Sequence, residues 1–368
     1  MSRKRVVVKI GSSSLTNETG EIDHVKLDDH VDAVAKLRQE NHEVVLVSSG
    51  AVATGFKQLG YITRPVTLKG KQAAAAVGQS MLIQTYMEKF SKYNLTAAQL
   101  LLTRSDFAER ARYRNAIATI TELLDRGIIP IINENDTVSV EELTFGDNDM
   151  LSALVSGFIH ADQLILLTDI NGLYNGNPRT NPSAKKYDYL ETITDEMIDA
   201  ADEKGSKVGT GGMKSKLMAA KTAASLGVPV FIGTGEGDNK LIDILHGSGD
   251  GTYIAKASTE SLNTRRQWIA LHSETMGSIY VDRGAEAAIL HHGASLLAAG
   301  VFKVTGTFDK GDVVSVYGSS GFLGKGQVGW SSEELKNSIE GKASELPKTE
   351  VIHRDGWVNK LKIGEEIR

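Results

Sequence analysis

The chain has 368 residues, of which 41% are hydrophobic and 24% charged, with a formal net charge of -5. This length predicts two domains and a core large enough to be stable without covalent staples. The sequence contains no cysteine, which excludes disulfides, thiolate metal ligands and a cysteine nucleophile. The mildly acidic balance gives no electrostatic basis for binding nucleic acid or an anionic membrane.

The N-terminus is basic, but its apolar run from Val6 to Val8 stops at Lys9, so it predicts a strand rather than a signal peptide. No stretch approaches the roughly 20 apolar residues of a membrane span. We therefore expect a soluble, cytoplasmic protein.

Up to about residue 258, short β-branched or leucine-rich runs alternate with longer helical stretches. This alternation predicts an α/β fold, a mostly parallel open sheet sandwiched by helices. The predicted strands are Arg5 to Ile10, Glu43 to Ser48, Leu95 to Thr103, Ile128 to Ile132, Gln163 to Thr168 and Val228 to Ile232. The predicted helices are Val31 to Glu40, Gln72 to Phe90, Arg114 to Arg126, Met150 to Ile159 and Lys216 to Leu226.

The last hundred residues have a different pattern. Short valine and isoleucine runs punctuated by glycine, such as Gly277 to Val281 and Asp312 to Val316, predict a small, mostly β domain. We place the α/β domain at residues 1–258, a linker at 259–275 and the β domain at 276–368.

Small polar clusters follow several predicted strands, at the edge where open α/β sheets bind ligands. The first, Lys9-Ile10-Gly11, offers a lysine and backbone N–H groups to a phosphate, although it also fits an ordinary strand end and lacks the Walker A spacing. The second cluster, Ser49-Gly50, could bind an anion at a helix start. Alternatively, Ser49 is simply the N-cap of that helix.

Two further clusters, Asn133 to Thr137 and Phe145 to Asp149, are rich in amides and carboxylates. They suit a ligand with both an ammonium and a carboxylate, because Asp136 can receive the cation while Asn148 donates to the anion. The alternative is a pair of turns, and Asp149 could also cap a helix.

The remaining clusters suit a nucleotide. Thr168 and Asp169 end an apolar strand and could bind ribose or base. Gly209 to Lys216 combines three glycines and two lysines at a helix start, which favours phosphate binding over a flexible hinge with solvated lysines.

Together these clusters predict phosphoryl transfer, which chiefly needs positioning and neutralisation of charge. Lys9 and Lys216 could flank the transferring group, and Asp149 could orient their ammonium heads. A carboxylate acceptor is already ionised, so no general base is needed.

In this order, the motifs resemble the bacterial glutamate 5-kinases of the amino-acid-kinase superfamily. The paired Ile-Asn-Glu-Asn-Asp and Phe-Gly-Asp-Asn-Asp segments distinguish them from aspartokinases, acetylglutamate kinases and carbamate kinases. The C-terminal segment resembles the PUA domain that follows many of these kinases. The likeness covers essentially the whole chain, and it implies an amino-acid-kinase domain at 1–258 and a PUA-like domain at 276–368.

The resemblance implies catalytic roles for Lys9, Lys216 and Asp149, with Lys9 also contacting ATP. The substrate-binding residues that it implies are Ser49, Gly50, Asn133, Asp136 and Asn148. The ATP-binding residues that it implies, besides Lys9, are Thr168, Asp169 and Thr210 to Lys216.

The implied reaction is ATP-dependent phosphorylation of L-glutamate to L-glutamyl 5-phosphate, the first step of proline biosynthesis. Mg²⁺ would be carried by the nucleotide, with no protein metal ligands. The implied partners are L-proline as feedback inhibitor, glutamate-5-phosphate reductase and further copies of the chain in a dimer or tetramer.

Two alternatives compete with this interpretation. One is another member of the superfamily that acts on a phosphonate, a carbamate or an N-acylated amino acid, against which Asp136 favours a free amino group. The other is an RNA-binding or regulatory protein on a degenerate kinase scaffold. From Ser261 to Arg368 there are 13 Lys/Arg against 13 Asp/Glu, which favours a structural or regulatory role for this segment over RNA binding.

Overall fold

A computed structural model describes residues 2–17, 19, 21–138, 148–176, 178, 181–202, 212–255, 269–270, 273, 275–341 and 350–360. The chain divides into two compact units, the first formed by Met1–Asp106 with Arg114–Ser258 and the second by Phe107–Tyr113 with Thr259–Arg368. None of the helices in the described ranges has the combination of length and apolar character that crossing a membrane requires.

The first unit is built on a sheet whose described strands follow the order β3-β4-β2-β1-β5-β9-β10-β8. Neighbouring strands are parallel except β9 and β10, which are antiparallel. A short antiparallel pair, β6 and β7, lies outside this sheet. The strands are β1 Arg5–Ile10, β2 Glu43–Ser48, β3 Ala97–Leu102, β4 Ile129–Glu134, β5 Gln163–Leu167, β6 Leu173–Tyr174, β7 Lys186–Tyr187, β8 Tyr189–Leu190, β9 Val230–Gly233 and β10 Gly251–Ile254.

The strand order brings the predicted clusters together. From β1 the chain moves to β2 and then outward to β3 and β4, before it returns to β5 on the other side of β1. Open α/β sheets bind ligands outside the carboxyl ends of their strands at such a reversal. The predicted α/β class with a mostly parallel sheet is confirmed, and β1 and β2 have the predicted bounds.

Helices cover the sheet. The described helices before Ser258, of which α4 and α5 include residues 107–113 of the second unit, are α1 His24–Gln39, α2 Ala51–Gly55, α3 Leu68–Ser91, α4 Arg104–Ala108, α5 Arg110–Asp125, α6 Asn148–Phe158, α7 Asp195–Asp202, α8 Met213–Ser225 and α9 Lys240–Leu245. Helices α2 and α3 approach so closely that a Cβ on Gly78 would lie 1.9 Å from the Ala51 carbonyl oxygen. Glycine at this position therefore sets the distance between the two helices.

A tight turn follows β5. Gly172 has a φ of 120°, a value that L residues rarely adopt, and a Cβ there would lie 2.6 Å from Thr252 Oγ1. The same hydroxyl oxygen accepts a hydrogen bond from the Leu173 backbone N–H at 2.8 Å. The turn thus ties the end of β5 to β10.

The second unit contains a described sheet of order β12-β11-β13-β14-β15. Its elements are β11 Gly277–Val281, α10 Arg283–His291, β12 Val301–Gly306, β13 Val313–Gly318, β14 Gly321–Val328, α11 Ser332–Ile339 and β15 Ile352–Asn359. Its core includes Ile279, Val314 and the fully buried Trp330. Most of the predicted linker, 259–275, lies outside the described residues.

Candidate active site

Two lysines meet one carboxylate at the carboxyl edge of the first sheet. Lys9 Nζ lies 2.5 Å from Asp149 Oδ1, and Lys216 Nζ lies 2.9 Å from Asp149 Oδ2. The Asp149 side chain is 0% exposed, and the two lysine side chains are 3% and 8% exposed. We call these three residues the lysine cluster. Its two positive charges exceed its single negative charge, and a buried excess of positive charge favours an anionic ligand.

Each member of the lysine cluster comes from a different element. Lys9 is the penultimate residue of the central strand β1, whereas Asp149 and Lys216 lie in the first turns of α6 and α8. Helices α6 and α8 pack against each other, so their N-termini lie close together. Helix N-termini carry partial positive charge, which adds to that of the lysines. The structure therefore joins the three residues predicted to be catalytic.

A second group, which we call the amide network, adjoins the lysine cluster through the consecutive residues Asn148 and Asp149. The Asn148 Nδ2 group donates to Ser48 O at 3.0 Å, to Ser49 Oγ at 3.0 Å and to Asn133 Oδ1 at 2.7 Å. Since an amide nitrogen has two hydrogens, one of them is shared. Asn148 was expected to donate to a ligand anion, but its nitrogen is committed to these three protein oxygens.

The amide network continues into helix α3. Asn133 Nδ2 donates to Gln79 Oε1 at 2.7 Å, and Asn133 Oδ1 also accepts from the Glu134 backbone N–H at 2.9 Å. Gln79 and Asn133 are both buried. Gln79 was not predicted, because one glutamine inside an alanine-rich helix gives little signal. The adjacent Gly78 was the available signal, since glycine inside a helix often marks close packing.

Gly50 has a structural requirement of its own. It is the N-cap of α2 with a φ of 108°, and α2 has no side-chain cap, so the alternative of Ser49 as a plain N-cap does not hold. The Ser49 backbone N–H donates to Ile10 O at 3.1 Å, which ties this turn to the end of β1. The Ser49 hydroxyl therefore lies at the site and does not cap helix α2.

Asp136 follows β4 and is partly buried. Loss of hydration on burial raises the pKa of its carboxyl group to about 6. A carboxylate in such a place gains from a cationic partner. The cluster predicted beside it is only partly described, because Gly146 and Asp147 lie outside the described residues.

The expected nucleotide residues come from two elements. Thr168 follows β5, where its backbone N–H donates to Gly233 O at 2.9 Å, and the next residue, Asp169, is exposed. Gly212 is the N-cap of α8, and apart from its chain neighbours no described atom lies within 4 Å of the position that a Cβ would take. The residues Met213, Lys214, Ser215 and Lys216 form the first turn of α8. Thr210 and Gly211 lie outside the described residues.

Comparison with known families finds two matches. The amino acid kinase family matches residues 4–234, and the PUA domain matches residues 277–349. The first match contains every described member of the lysine cluster and of the amide network.

Curated relatives match along nearly the whole chain. Glutamate 5-kinase 1 of Bacillus licheniformis is 63% identical over 98% of this chain and 99% of its own length. Glutamate 5-kinase of Oceanobacillus iheyensis is 60% identical, with 100% of both chains covered. Among solved structures, the carbamate kinase of Giardia lamblia bound to AMP-PNP has a TM-score of 0.51 at 16% identity, over 70% of this chain and 99% of that protein. That likeness shows a shared fold.

Proposed function

The chain belongs to the amino acid kinase family and, within it, to the glutamate 5-kinases, and on this premise we propose that it phosphorylates the side-chain carboxylate of L-glutamate with ATP. The product is L-glutamyl 5-phosphate, and the step opens proline biosynthesis. One observation carries the proposal: a buried, positively charged lysine cluster adjoins a network of neutral amides. The first suits a phosphoryl group, and the second suits a small polar acceptor.

The chemistry needs no proton transfer. A side-chain carboxylate oxygen of glutamate forms a bond to the γ-phosphorus, while the bond from that phosphorus to the β,γ-bridging oxygen breaks and ADP leaves with the electron pair. Charge on the transferring group is neutralised by the ammonium groups of Lys9 and Lys216. Asp149 holds the two ammonium groups at 2.5 and 2.9 Å from its oxygens, which limits their mutual repulsion.

The substrate amino group would be received by Asp136, whose partly buried carboxylate has lost part of its hydration. ATP would bind along Thr168, Asp169 and the stretch from Thr210 to Lys216. Each oxygen of Asp149 contacts a lysine, so we do not assign this carboxylate as a metal ligand. Mg²⁺ would arrive bound to the triphosphate, where it would help to neutralise the phosphate charge.

Further roles follow from the same premise. L-Proline would act as a feedback inhibitor, and the chain would form a dimer or tetramer in the cytoplasm. An acyl phosphate is readily hydrolysed, so glutamate-5-phosphate reductase is the partner that would consume it. The PUA-like domain would serve a structural or regulatory role, because its charges balance.

Trapping of the acyl phosphate tests the proposal. The full-length protein is incubated with ATP, Mg²⁺ and hydroxylamine, and hydroxamate is measured with L-glutamate and with N-acetylglutamate, each with and without proline. We expect hydroxamate from glutamate only, and less of it with proline. Hydroxamate from N-acetylglutamate instead would assign the chain to a different acceptor. Absence of any product, with tight RNA binding at physiological salt, would favour the degenerate-scaffold alternative.

A further inference from the structure

The amide network has a fixed direction, because backbone groups anchor it at two points. The Glu134 backbone N–H can only donate, so the Asn133 atom that it contacts at 2.9 Å is the oxygen. The Ser48 carbonyl can only accept, so the Asn148 atom that it contacts at 3.0 Å is the nitrogen. The orientations of these two side-chain amides are therefore set by the backbone.

Gln79 inherits its orientation from Asn133. Because Asn133 Oδ1 faces the Glu134 N–H, Asn133 Nδ2 is the atom that faces Gln79. The atom of Gln79 that accepts this hydrogen bond, at 2.7 Å, is therefore Oε1. The Gln79 Nε2 group then points away from Asn133, and it has no hydrogen-bond partner among the described residues. The Gln79 residue keeps 8% of its surface exposed.

Two other groups of the same network keep hydrogen-bonding capacity that no described residue uses. Ser49 Oγ accepts from Asn148, which leaves its hydroxyl hydrogen available to donate. Asn148 uses its nitrogen three times, which leaves Oδ1 available to accept. The network thus offers donors at Gln79 and Ser49 and an acceptor at Asn148.

We propose that Gln79 is a specificity-determining residue whose Nε2–H₂ group donates to the non-reacting α-carboxylate of the amino-acid substrate. This inference rests on the proposed function. The reacting side-chain carboxylate must reach the lysine cluster, and Asn148 directly precedes Asp149 in that cluster. Among the described residues, Gln79 is connected to Asn148 through Asn133, so it lies farther along the network from the lysine cluster. We therefore assign it to the other end of the substrate.

The chemistry of this arrangement gives the site its selectivity. The substrate α-carboxylate accepts hydrogen bonds from the Gln79 amide and the Ser49 hydroxyl. Both donors are neutral, so the contact adds no further positive charge near the lysine cluster. A substrate whose α-group is an amide keeps one accepting oxygen, but its NH₂ group faces the other protein donor, and that hydrogen bond is not made. Sites that bind by hydrogen bonds discriminate strongly against analogues that cannot complete them.

Gln79→Glu separates a substrate contact from mere support of Asn133. Glutamate at this position keeps an oxygen that accepts from Asn133 Nδ2, and it replaces only the free donor end by a second, negatively charged oxygen. We expect the KM for glutamate to rise at least tenfold, because a hydrogen bond to a charged group is lost. We expect the KM for ATP to stay within about twofold.

A second measurement covers the possibility that buried charge prevents Gln79→Glu from folding. The ratio of kcat/KM for glutamate to that for isoglutamine, which has an α-carboxamide, is measured in the wild type and in Gln79→Met. Loss of a donor to the α-carboxylate lowers this ratio about tenfold or more, whereas loss of support for Asn133 affects both substrates alike. Gln84→Met, on the exposed side of the same helix, is the matched control.

The outcomes are distinguishable. A wild-type protein that makes no acyl phosphate from glutamate overturns the proposed function, whatever the variants do. An active wild type whose glutamate KM is unchanged in Gln79→Glu overturns the role of Gln79 alone, as does an unchanged glutamate-to-isoglutamine ratio in Gln79→Met. Circular dichroism of each variant identifies those that have folded.

Discussion

Replacement of Asp149 by asparagine is the sharpest test of the lysine cluster. Asparagine has nearly the same shape, so packing is retained, but it offers one oxygen to two ammonium groups and turns its NH₂ toward one of them. Lys9 and Lys216, with side chains 3% and 8% exposed, then lose the carboxylate charge that both of them contact. We expect the variant to lose both stability and turnover.

The size of the effect follows from the burial of the three groups. Removal of one partner from a buried ion pair costs roughly 3–5 kcal/mol. We take the lower end, about 3 kcal/mol, because Lys216 keeps some exposure and water can partly hydrate it. For a domain of this size, each kcal/mol moves the thermal midpoint by roughly 2–4 °C. The expected decrease is therefore roughly 6–12 °C.

Thermal unfolding followed by circular dichroism measures this decrease in the ligand-free protein. The double variant Asp149→Asn with Lys216→Met removes one of the two unbalanced charges, so it should recover part of the lost stability. Tripolyphosphate should stabilise Asp149→Asn more than the wild type, because an anion replaces the missing charge. A midpoint within about 2 °C of the wild type would refute the electrostatic reasoning, since it would mean that the two lysines do not need the carboxylate.

Lys216→Ala is expected to lower kcat by about two to three orders of magnitude with a smaller change in the KM for ATP, because its charge acts mainly in the transition state; steady-state kinetics measures both. Because burial raises the pKa of Asp136 to about 6, kcat/KM for glutamate should fall as the pH decreases through about 6, and Asp136→Asn should abolish this dependence. The native carboxyl binds its proton more tightly than the unfolded one, so its ionisation costs stability above pH 4; Asp136→Asn should therefore raise the thermal midpoint at pH 7.5 but not at pH 4. Gly78→Ala places a Cβ 1.9 Å from Ala51 O and should cost about 3 kcal/mol in chemical denaturation, whereas the exposed Ser80→Ala should be nearly neutral.

Strands were easier to predict than helix starts, for a physical reason. A parallel strand covered on both faces reads as one apolar run, as in Arg5–Ile10 and Glu43–Ser48, whose bounds were predicted to the residue. Helix α1 begins at His24 rather than at Val31, because the Asp23 side chain caps it by accepting from two backbone N–H groups. Its first turns carry little apolar periodicity, so the cap was the only signal.

The start of α8 matters more for the site. The sequence predicted a helix from Lys216, but the helix begins at Met213 with Gly212 as its N-cap. Lys216 therefore projects from the first turn of a rigid helix rather than from a glycine-rich loop. This rigidity lets it share Asp149 with Lys9 at a fixed distance of 2.9 Å.

The lysine cluster could be predicted because its signals are local. A lysine at a strand end and glycines before a helix indicate an anion site from a few neighbouring residues, and a parallel sheet brings such strand ends together. The amide network depends on contacts between distant parts of the chain. Gln79 lies 54 residues from Asn133, and it directly follows Gly78, where α3 packs closely against α2.

The donor and acceptor ends of these hydrogen bonds also cannot be predicted from neighbouring residues in the sequence. Asparagine and glutamine each carry a donor and an acceptor, so their presence leaves open which end faces a ligand. Here one backbone N–H, that of Glu134, orients Asn133, and Asn133 orients Gln79. The selectivity that we assign to Gln79 is therefore set at the end of strand β4. It follows that a substitution at Asn133 would release Gln79 from its fixed orientation. Such a substitution would change the selectivity for the α-carboxylate of the substrate even without direct contact between residue 133 and the substrate.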